Sequence, residues 1–250
     1  MPLVGTRNLS DLLPAAPMVA SLDAERMEFP GARILQLMYE IDDDAMTSLL
    51  PPALHPTIPP TLVFTVTHVP DGPLGDFTMA EVRVGARSGA RPRGFLAHGY
   101  CDSSRATEAL RSHWGYPLLH SGVSLQKRYD RIHAHIEANG RPVLDMSLIN
   151  PEPISGNDLQ YLASLNIAGV MRDGAECVRL IQVDPDYVFH SADRGQPQLD
   201  VFDAAAFKVA GAKTNYAVSA SFAVADITMP TIRYLVDPSK PPMLSVERVG

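Results

Sequence analysis

Hydrophobic and polar positions alternate over short segments of this chain, and proline and glycine residues separate the segments. Period-two alternation is typical of strands that have one buried face. Strands are predicted at residues 31–41, 61–69, 77–86 and 94–102. The second and third of these are joined by Pro70-Asp71-Gly72, which has the composition of a turn, so they are expected to pair antiparallel.

Two hairpins follow in the second half of the chain. Asn139-Gly140 lies between two alternating segments within residues 128–149, as a type I′ turn requires. A second hairpin is predicted around Arg172-Asp173-Gly174, and residues 215–230 read as a long strand that carries alanine and serine at closely packed positions. These patterns predict a mainly antiparallel β sheet.

Helical patterns are short. Residues 42–54 predict a helix that is capped by Asp42 or Asp43 and stopped by Pro51-Pro52. Residues 103–115 predict another, with Ser103 or Ser104 as its N-cap and Gly115 at its end. The expected class is mainly antiparallel β (α+β), as one domain over residues 1–250 in which residues 1–28 form an N-terminal extension.

Composition and charge exclude several classes of binding partner and of site. The formal charge is -7 and the 21 basic residues form no long run, which argues against nucleic acid. The N-terminus lacks the features of a signal peptide, and no apolar run reaches about 18 residues, so a cytoplasmic protein without a membrane segment is expected. Two cysteines cannot form a disulfide framework or a four-cysteine zinc site.

The chain resembles the acetoacetate decarboxylase family from about Phe29 to Pro230. The resemblance is carried by the order and spacing of five stretches, which are YEIDDDAMTSLLPPAL, GDFTMAEVRVG, ALRSHWGYP, the RDG hairpin and VADITMP. It implies an antiparallel sheet curled into a cone or barrel around a buried pocket, and a homo-oligomer.

Family members that decarboxylate, or that perform aldol-type chemistry, form a Schiff base through a lysine directly after the proline of a Gly-aromatic-Pro motif. In this chain the motif is Gly115-Tyr116-Pro117, and the lysine and its cationic neighbour are replaced by Leu118 and Leu119. A leucine has no lone pair with which to attack a carbonyl. The sequence therefore excludes imine chemistry at this position.

Only some of the family's other site residues have a matching residue in this chain. A glutamate that lines the family's pocket matches Glu81, and a second glutamate falls on Thr65. An expected arginine falls on Ala32, with Arg33 one residue away, and a one-residue slip in a strand reverses the face. An arginine of the second helix is kept as Arg111.

Glu81 is the first candidate catalytic residue, because a carboxylate in apolar surroundings can exchange protons near neutral pH. Its alternative is an outward-facing glutamate on a strand. His120 is a candidate proton carrier and His98 a candidate inward-facing residue, although both could be structural. The predicted set comprises Glu81, His120 and Arg111 as catalytic residues, and Tyr116, Leu118, Leu119, His98, Trp114 and Thr65 as substrate-binding residues.

No cofactor and no metal is expected. His133 and His135 share one strand face, but no third ligand lies nearby in the sequence, so they are expected to face water. Lys127 is the nearest lysine to the motif and is expected to be a solvated surface residue, although a lysine elsewhere could in principle restore the imine.

Two functions remain open from the sequence. The first is a lyase- or isomerase-type enzyme that acts on a keto- or enone-bearing small molecule by acid–base chemistry, with Glu81 moving a proton and His120 or Arg111 orienting or stabilising an enolate. Decarboxylation ranks lower because no electron sink is available. The second is a non-catalytic protein that holds a hydrophobic metabolite, which the two leucines would favour.

Overall fold

The computed structural model describes residues 3–23, 25–88, 91–172 and 174–249. Within these ranges there are two α-helices, α1 (Asp43–Met46) and α2 (Ser104–Trp114). The strands are β1 (Met18–Val19), β2 (Met27–Ile41), β3 (His55–Pro56), β4 (Thr61–Val69), β5 (Phe77–Ser88), β6 (Arg91–Cys101), β7 (Leu118–His120), β8 (Gly122–Lys127), β9 (Arg131–Ala138), β10 (Arg141–Ile154), β11 (Ser164–Arg172), β12 (Ala175–Val183), β13 (Asp186–Phe202), β14 (Thr214–Met229), β15 (Tyr234–Val236) and β16 (Val246–Arg248). Most neighbouring strands pair antiparallel, and the predicted class is confirmed.

The strands form one sheet that stays open. Its hydrogen-bonded order is β16-β15-β12-β11-β6-β5-β4-β2-β14-β13-β10-β9-β8, with β1, β3 and β7 attached at the side. β8 returns to contact β4, β5 and β6. Among the described strands, β8 and β16 do not pair with each other, so the expected cone or barrel is an open curled sheet and not a closed barrel. The sheet curls back by side-chain packing, without closing the hydrogen-bonded ring.

Two hydrophobic layers lie on opposite faces of the sheet, because successive strand residues point to opposite sides. We call them the helix layer and the sheet layer. The helix layer joins Ile34 and Met79 to Leu110 and Trp114 of α2. The sheet layer joins alternate residues of β2, β4 and β5 to β9 and β10. Parity along a strand therefore decides which layer each candidate residue enters.

Helix α2 forms as the sequence predicts. The Ser103 side chain accepts a hydrogen bond from the Ala106 N–H, and Gly115 ends the helix in the left-handed region with φ 67°. The chain then enters β7, which pairs parallel to β6 with Leu118 opposite Gly99. The end of α2 thus places the Gly-Tyr-Pro motif against the centre of the sheet.

Helix α1 is much shorter than the prediction of residues 42–54. It ends at Met46, and Asp42 occupies the N-cap position without a side-chain capping bond. Leu49 and Leu50 lie in the turn after the helix, and their side chains are buried in the sheet layer. Pro51 prevents a helix from continuing past them. Core packing therefore replaces the helix in this segment.

The hairpin at Asn139-Gly140 is confirmed. Both residues have positive φ, 53° and 71°, and Arg141 pairs with Ala138. At the second predicted hairpin, Arg172 pairs with Ala175, whereas Asp173 lies outside the described residues. No described helix has the length and apolar character that a membrane span needs.

Candidate active site

Glu81 lies at the centre of the sheet, on β5. It pairs with Thr65 of β4 on one side and with Gly99 of β6 on the other. Its side chain points into the helix layer, on the same face as Met79, and only 1% of the residue is exposed. A carboxylate this deeply buried requires a partner, because an isolated charge in an apolar interior is costly.

The partner is Arg83, two residues further along β5 and therefore on the same face. Its Nη2 donates to Oε1 of Glu81 at 2.6 Å and its Nε donates to Oε2 at 3.3 Å, while Nη1 donates to the Leu162 carbonyl at 2.8 Å. Burial alone would lower the pKa of Arg83, but the Glu81 carboxylate raises it, so the guanidinium stays charged. Glu81 is therefore a member of a buried ion pair, which corrects the expectation of a carboxylate among apolar groups alone.

Three tyrosines lie close to this pair. Burial raises the pKa of Tyr116, and the Glu81 charge raises it further. Burial likewise raises the pKa of Tyr187, to about 12, and that of Tyr161. All three hydroxyls therefore remain protonated donors at neutral pH. The Tyr161 hydroxyl is buried and has no hydrogen-bond partner in the described part of the chain.

These residues surround one cavity on the helix-layer side of the sheet, with about 450 Å³ of free space among its lining atoms. The space is narrow and holds about one water molecule without side-chain movement. The lining consists of Phe29, Ile34, Gln36, Thr65, Thr67, Val69, Met79, Glu81, Arg83, Tyr116, Tyr161, Pro185, Tyr187, Ile227 and Met229. The cavity is thus an apolar chamber whose polar groups cluster at Glu81 and Arg83.

Of the residues predicted for the site, Glu81, Tyr116 and Thr65 line the cavity. Leu118 is fully buried in the helix layer next to Gly99. A side chain at Gly99 would meet Leu118 Cδ2 at 2.7 Å, so Leu118 lies over the bare glycine opposite Glu81. The leucine therefore occupies a position from which a longer side chain could extend towards the carboxylate.

Two predicted residues on β7 lie elsewhere. His120 is exposed, with its Nε2 3.1 Å from the Asp102 carbonyl oxygen, and Leu119 is 51% exposed. Only the first residue of this three-residue strand is covered. Arg111 donates to the Leu118 carbonyl at 2.9 Å and shares with His120 a separate surface depression. The expectation that these three residues enter the pocket is wrong.

His98 and Trp114 are buried but lie outside the cavity. His98 pairs with Val82, so it enters the sheet layer, where its ring packs edge-on against Tyr100 at 5.2 Å. Burial lowers its pKa to about 4, and Lys208 and Arg111 add to this shift. The Trp114 indole donates to the Pro230 carbonyl at 2.8 Å. The expected substrate contacts of both residues are wrong because strand parity and core packing place them elsewhere.

The first long strand contributes no arginine. Ala32 is fully buried in the helix layer and Arg33 is exposed, which settles the face of this segment. Gln36 reaches the cavity from the same strand, with its Nε2 3.4 Å from Thr65 Oγ1. Sequence reasoning missed Gln36, Arg83, Tyr161 and Tyr187. The i+2 spacing from Glu81 could have indicated Arg83, whereas no local signal indicates the two tyrosines.

Lysines lie away from the cavity. Lys127 donates to Asp193 at 2.8 Å and stands over the Phe222 ring of the sheet layer, while Lys208, Lys213 and Lys240 are exposed. Of the residues that the structure describes, no lysine lines the cavity. The chamber therefore offers a carboxylate, a guanidinium and hydroxyls.

His133 and His135 are half-buried and share one partner. Their ring nitrogens lie 2.8 Å and 2.9 Å from the two oxygens of Asp145. They therefore contact a carboxylate, where the sequence predicted that they face water. Within the described ranges no group of three His, Cys, Asp or Glu residues is placed to hold a metal ion.

The comparisons with known proteins agree with this architecture. The family model described as acetoacetate decarboxylase matches residues 13–239. The chain belongs to the acetoacetate decarboxylase family. A search of curated proteins finds no match.

Solved structures show the same fold. Acetoacetate decarboxylase from Legionella pneumophila is 19% identical with a TM-score of 0.72, and the match covers 84% of this chain and 86% of that one. The enduracididine biosynthesis enzyme MppR, complexed with the condensation product of pyruvate and imidazole 4-carboxaldehyde, is 15% identical with a TM-score of 0.68 and coverages of 86% and 90%. An acetoacetate decarboxylase-like enzyme from Sphingomonas wittichii RW1 is 15% identical with a TM-score of 0.66, covering 85% and 94%.

Proposed function

We propose that this member of the acetoacetate decarboxylase family is a lyase- or isomerase-type enzyme that acts on a small keto or enone molecule without a lysine imine. The observation that carries the proposal is the buried Glu81–Arg83 pair in a narrow, largely apolar cavity whose described lining contains no lysine. The fold relative MppR, which is complexed with a pyruvate-derived product, supports a keto substrate.

Glu81 supplies the base. Arg83 holds the carboxylate in place through two hydrogen bonds, and a carboxylate in this position can accept a proton from the carbon next to a carbonyl. The electrons released by that transfer move onto the carbonyl oxygen and create an enolate. Hydration, dehydration, isomerisation and cyclisation of a keto or enone compound can all proceed through such an enolate.

The enolate oxygen requires donors that are already in place. Arg83 has five N–H groups, and the three bonds to Glu81 and Leu162 leave about two of them for a substrate. The Tyr116 and Tyr161 hydroxyls are protonated donors in the same cavity. A carbonyl group bound among these groups would replace the water for which the cavity has room.

Decarboxylation fits this arrangement less well. Loss of carbon dioxide from a keto acid leaves an electron pair that a protonated imine would absorb, and the position for the amine is held by Leu118. Proton transfer at carbon makes the smaller demand on an enolate that is stabilised only by hydrogen bonds.

Deuterium exchange tests the proposed reaction. A panel of keto acids, diketones and enones is incubated in D₂O, and loss of the proton next to the carbonyl is followed by ¹H NMR. We expect the protein to accelerate exchange for at least one compound. The Glu81→Gln variant should lose about 10²–10⁴-fold of that rate. Because Glu81→Gln leaves Arg83 unpaired, the double variant Glu81→Gln/Arg83→Met is assayed in parallel and should be equally inactive.

Reductive trapping tests the absence of an imine. Wild-type protein is treated with borohydride in the presence of a keto acid that it exchanges, and its intact mass is measured. We expect no adduct. An adduct on any of the four lysines would contradict the proposal, and so would exchange that persists in both Glu81 variants.

The second candidate is a non-catalytic protein that holds an apolar metabolite. The observation in its favour is that Phe29, Ile34, Val69, Met79 and Ile227 form much of the lining. Mass spectrometry of the purified protein would reveal a retained ligand. Binding of that ligand without exchange or turnover would favour this function over the enzyme.

A further inference from the structure

A second concave surface lies next to the cavity. Four arginines, Arg26, Arg91, Arg93 and Arg233, line this groove, which has about 1420 Å³ of free space and is open to solvent. They come from the segment before β2, from β6 and from the segment before β15. The fold therefore gathers arginines from three distant segments of the sequence into one positively charged surface.

The groove and the cavity share their walls. Along residues 184–187, Asp184 and Asp186 line the groove whereas Pro185 and Tyr187 line the cavity. The same division recurs at the end of β14, where Met229 lines the cavity and the next residue, Pro230, lines the groove. Two separate backbone segments thus have one site on each side, so the groove and the cavity are immediate neighbours along residues 184–187 and 229–230.

The charges of the groove are only partly balanced. Its two carboxylates, Asp184 and Asp186, leave a formal excess of two positive charges over the four arginines (4 − 2). Arg93 lies 3.8 Å from Asp184, with its side chain 12% exposed, and its buried Nε has no hydrogen-bond partner among the described residues.

The other three arginines, Arg26, Arg91 and Arg233, are exposed. They form no ion pair with any residue that the structure describes. Three of the four guanidinium groups in the groove are thus exposed and without a carboxylate partner among the described residues.

We propose that this groove binds an anionic extension of the substrate, carrying phosphate or carboxylate groups, while the keto or enone end of the same molecule lies in the cavity. The inference rests on the proposed function of the cavity. Guanidinium groups match the oxygens of phosphate and carboxylate with two parallel hydrogen bonds, which suits arginine to this task. An extended anionic substrate also explains why the chamber itself is small.

Calorimetric titration tests the groove by itself. Inorganic pyrophosphate and citrate are titrated into the full-length protein at low ionic strength, without any keto compound. We expect at least one of them to bind. The double variant Arg91→Gln/Arg233→Gln should weaken binding about tenfold, which corresponds to roughly 1.4 kcal/mol. Added salt should weaken it further, because the arginines are exposed.

Two controls locate the binding. Arg131→Gln removes an exposed arginine of β9 that lies outside the groove, and it should leave the affinity unchanged. Tyr116→Phe alters the cavity and should also leave it unchanged. Tighter binding of pyrophosphate would identify a phosphate extension, and tighter binding of citrate a carboxylate extension.

The inference would be overturned if neither anion bound, or if Arg131→Gln weakened binding as much as the groove variant. These outcomes are independent of the exchange assay. Normal deuterium exchange without anion binding to the groove would refute only the proposed anionic extension of the substrate. Anion binding without deuterium exchange would refute only the proposed reaction in the cavity.

Discussion

Arg83 and Glu81 form a two-bond ion pair inside the protein, with Arg83 Nη2 2.6 Å from Glu81 Oε1 and both side chains almost entirely buried. Two charges that are removed from water in this way stabilise each other only while both are present. The pair therefore links the stability of the sheet to the chemistry of the cavity, and each partner can be tested separately.

We predict that Arg83→Met lowers the free energy of unfolding by about 3–5 kcal/mol, because it leaves the Glu81 carboxylate buried without a countercharge. The double variant Glu81→Gln/Arg83→Met should recover much of this loss, because no charge is then left buried. Urea unfolding of the four proteins in the mutant cycle gives the coupling. Additive losses would show that the two residues do not act as a pair.

Leu118→Lys should introduce an amine that can be trapped. Leu118 lies over Gly99, opposite Glu81, so a lysine here could extend along the bare glycine towards the carboxylate. Burial among apolar side chains lowers a lysine's pKa and makes the amine nucleophilic. We expect borohydride and pyruvate to leave one reduced adduct on the variant, detected by intact mass and peptide mapping.

Leu119→Lys is the matched control for that experiment. Leu119 is 51% exposed on the same short strand and lies outside the cavity, so its amine should stay protonated and unlabelled. Equal labelling of the two variants would show that a lysine at position 118 reaches the cavity no better than one at position 119.

His120→Ala and Tyr116→Phe should differ in their effect on deuterium exchange. His120 is exposed at the end of β7, so its loss should change the exchange rate less than about twofold. Tyr116 lines the cavity beside Glu81, and loss of its hydroxyl should slow exchange about 10²–10³-fold, as for removal of an oxyanion donor. A strong effect of His120→Ala would indicate that the surface depression shared by His120 and Arg111 takes part in the reaction.

Much of the fold follows from local signals. The serine cap and glycine end of α2, the Asn-Gly turn and the alternation of β4 and β5 are all encoded by neighbouring residues. The length of α1 is not, because Leu49 and Leu50 are drawn into a core formed by distant strands. Closure of the sheet also depends on long-range pairing, and no local pattern indicated that β8 would pack against β4, β5 and β6 without hydrogen bonding to them.

The candidate site, like the fold, could be predicted only in part from the sequence. Glu81, Thr65 and Tyr116 could be placed from the family resemblance, and strand parity then implies Arg83. His98 was misplaced because it directly precedes Gly99, the partner of Glu81, so alternation along β6 turns its side chain to the opposite face of the sheet. His120 and Leu119 follow the motif closely in sequence, but β7 is an edge strand in which only the first residue, Leu118, is buried. Tyr161 and Tyr187 come from segments that meet only in three dimensions.

His98 should make the protein less stable in mild acid. Its pKa is about 4 when folded against 6.5 as the ordinary value, so between these pH values the unfolded chain binds more protons than the native one. The stability from a neutral His98 is therefore complete above pH 6.5 and is lost as the pH falls towards 4. The expected loss from about pH 7 to about pH 5 is roughly 2 kcal/mol.

His98→Phe isolates this contribution, because phenylalanine keeps an aromatic ring against Tyr100 and cannot titrate. Urea unfolding at the two pH values should show a smaller loss for the variant than for the wild type. His68→Phe, on a partly exposed histidine of β4, is the control and should keep the wild-type difference. Equal losses of stability in acid for His98→Phe and the wild type would show that the folded protein accommodates His98 in its charged form. Neither ring nitrogen has a hydrogen-bond partner among the described residues, which argues against that outcome.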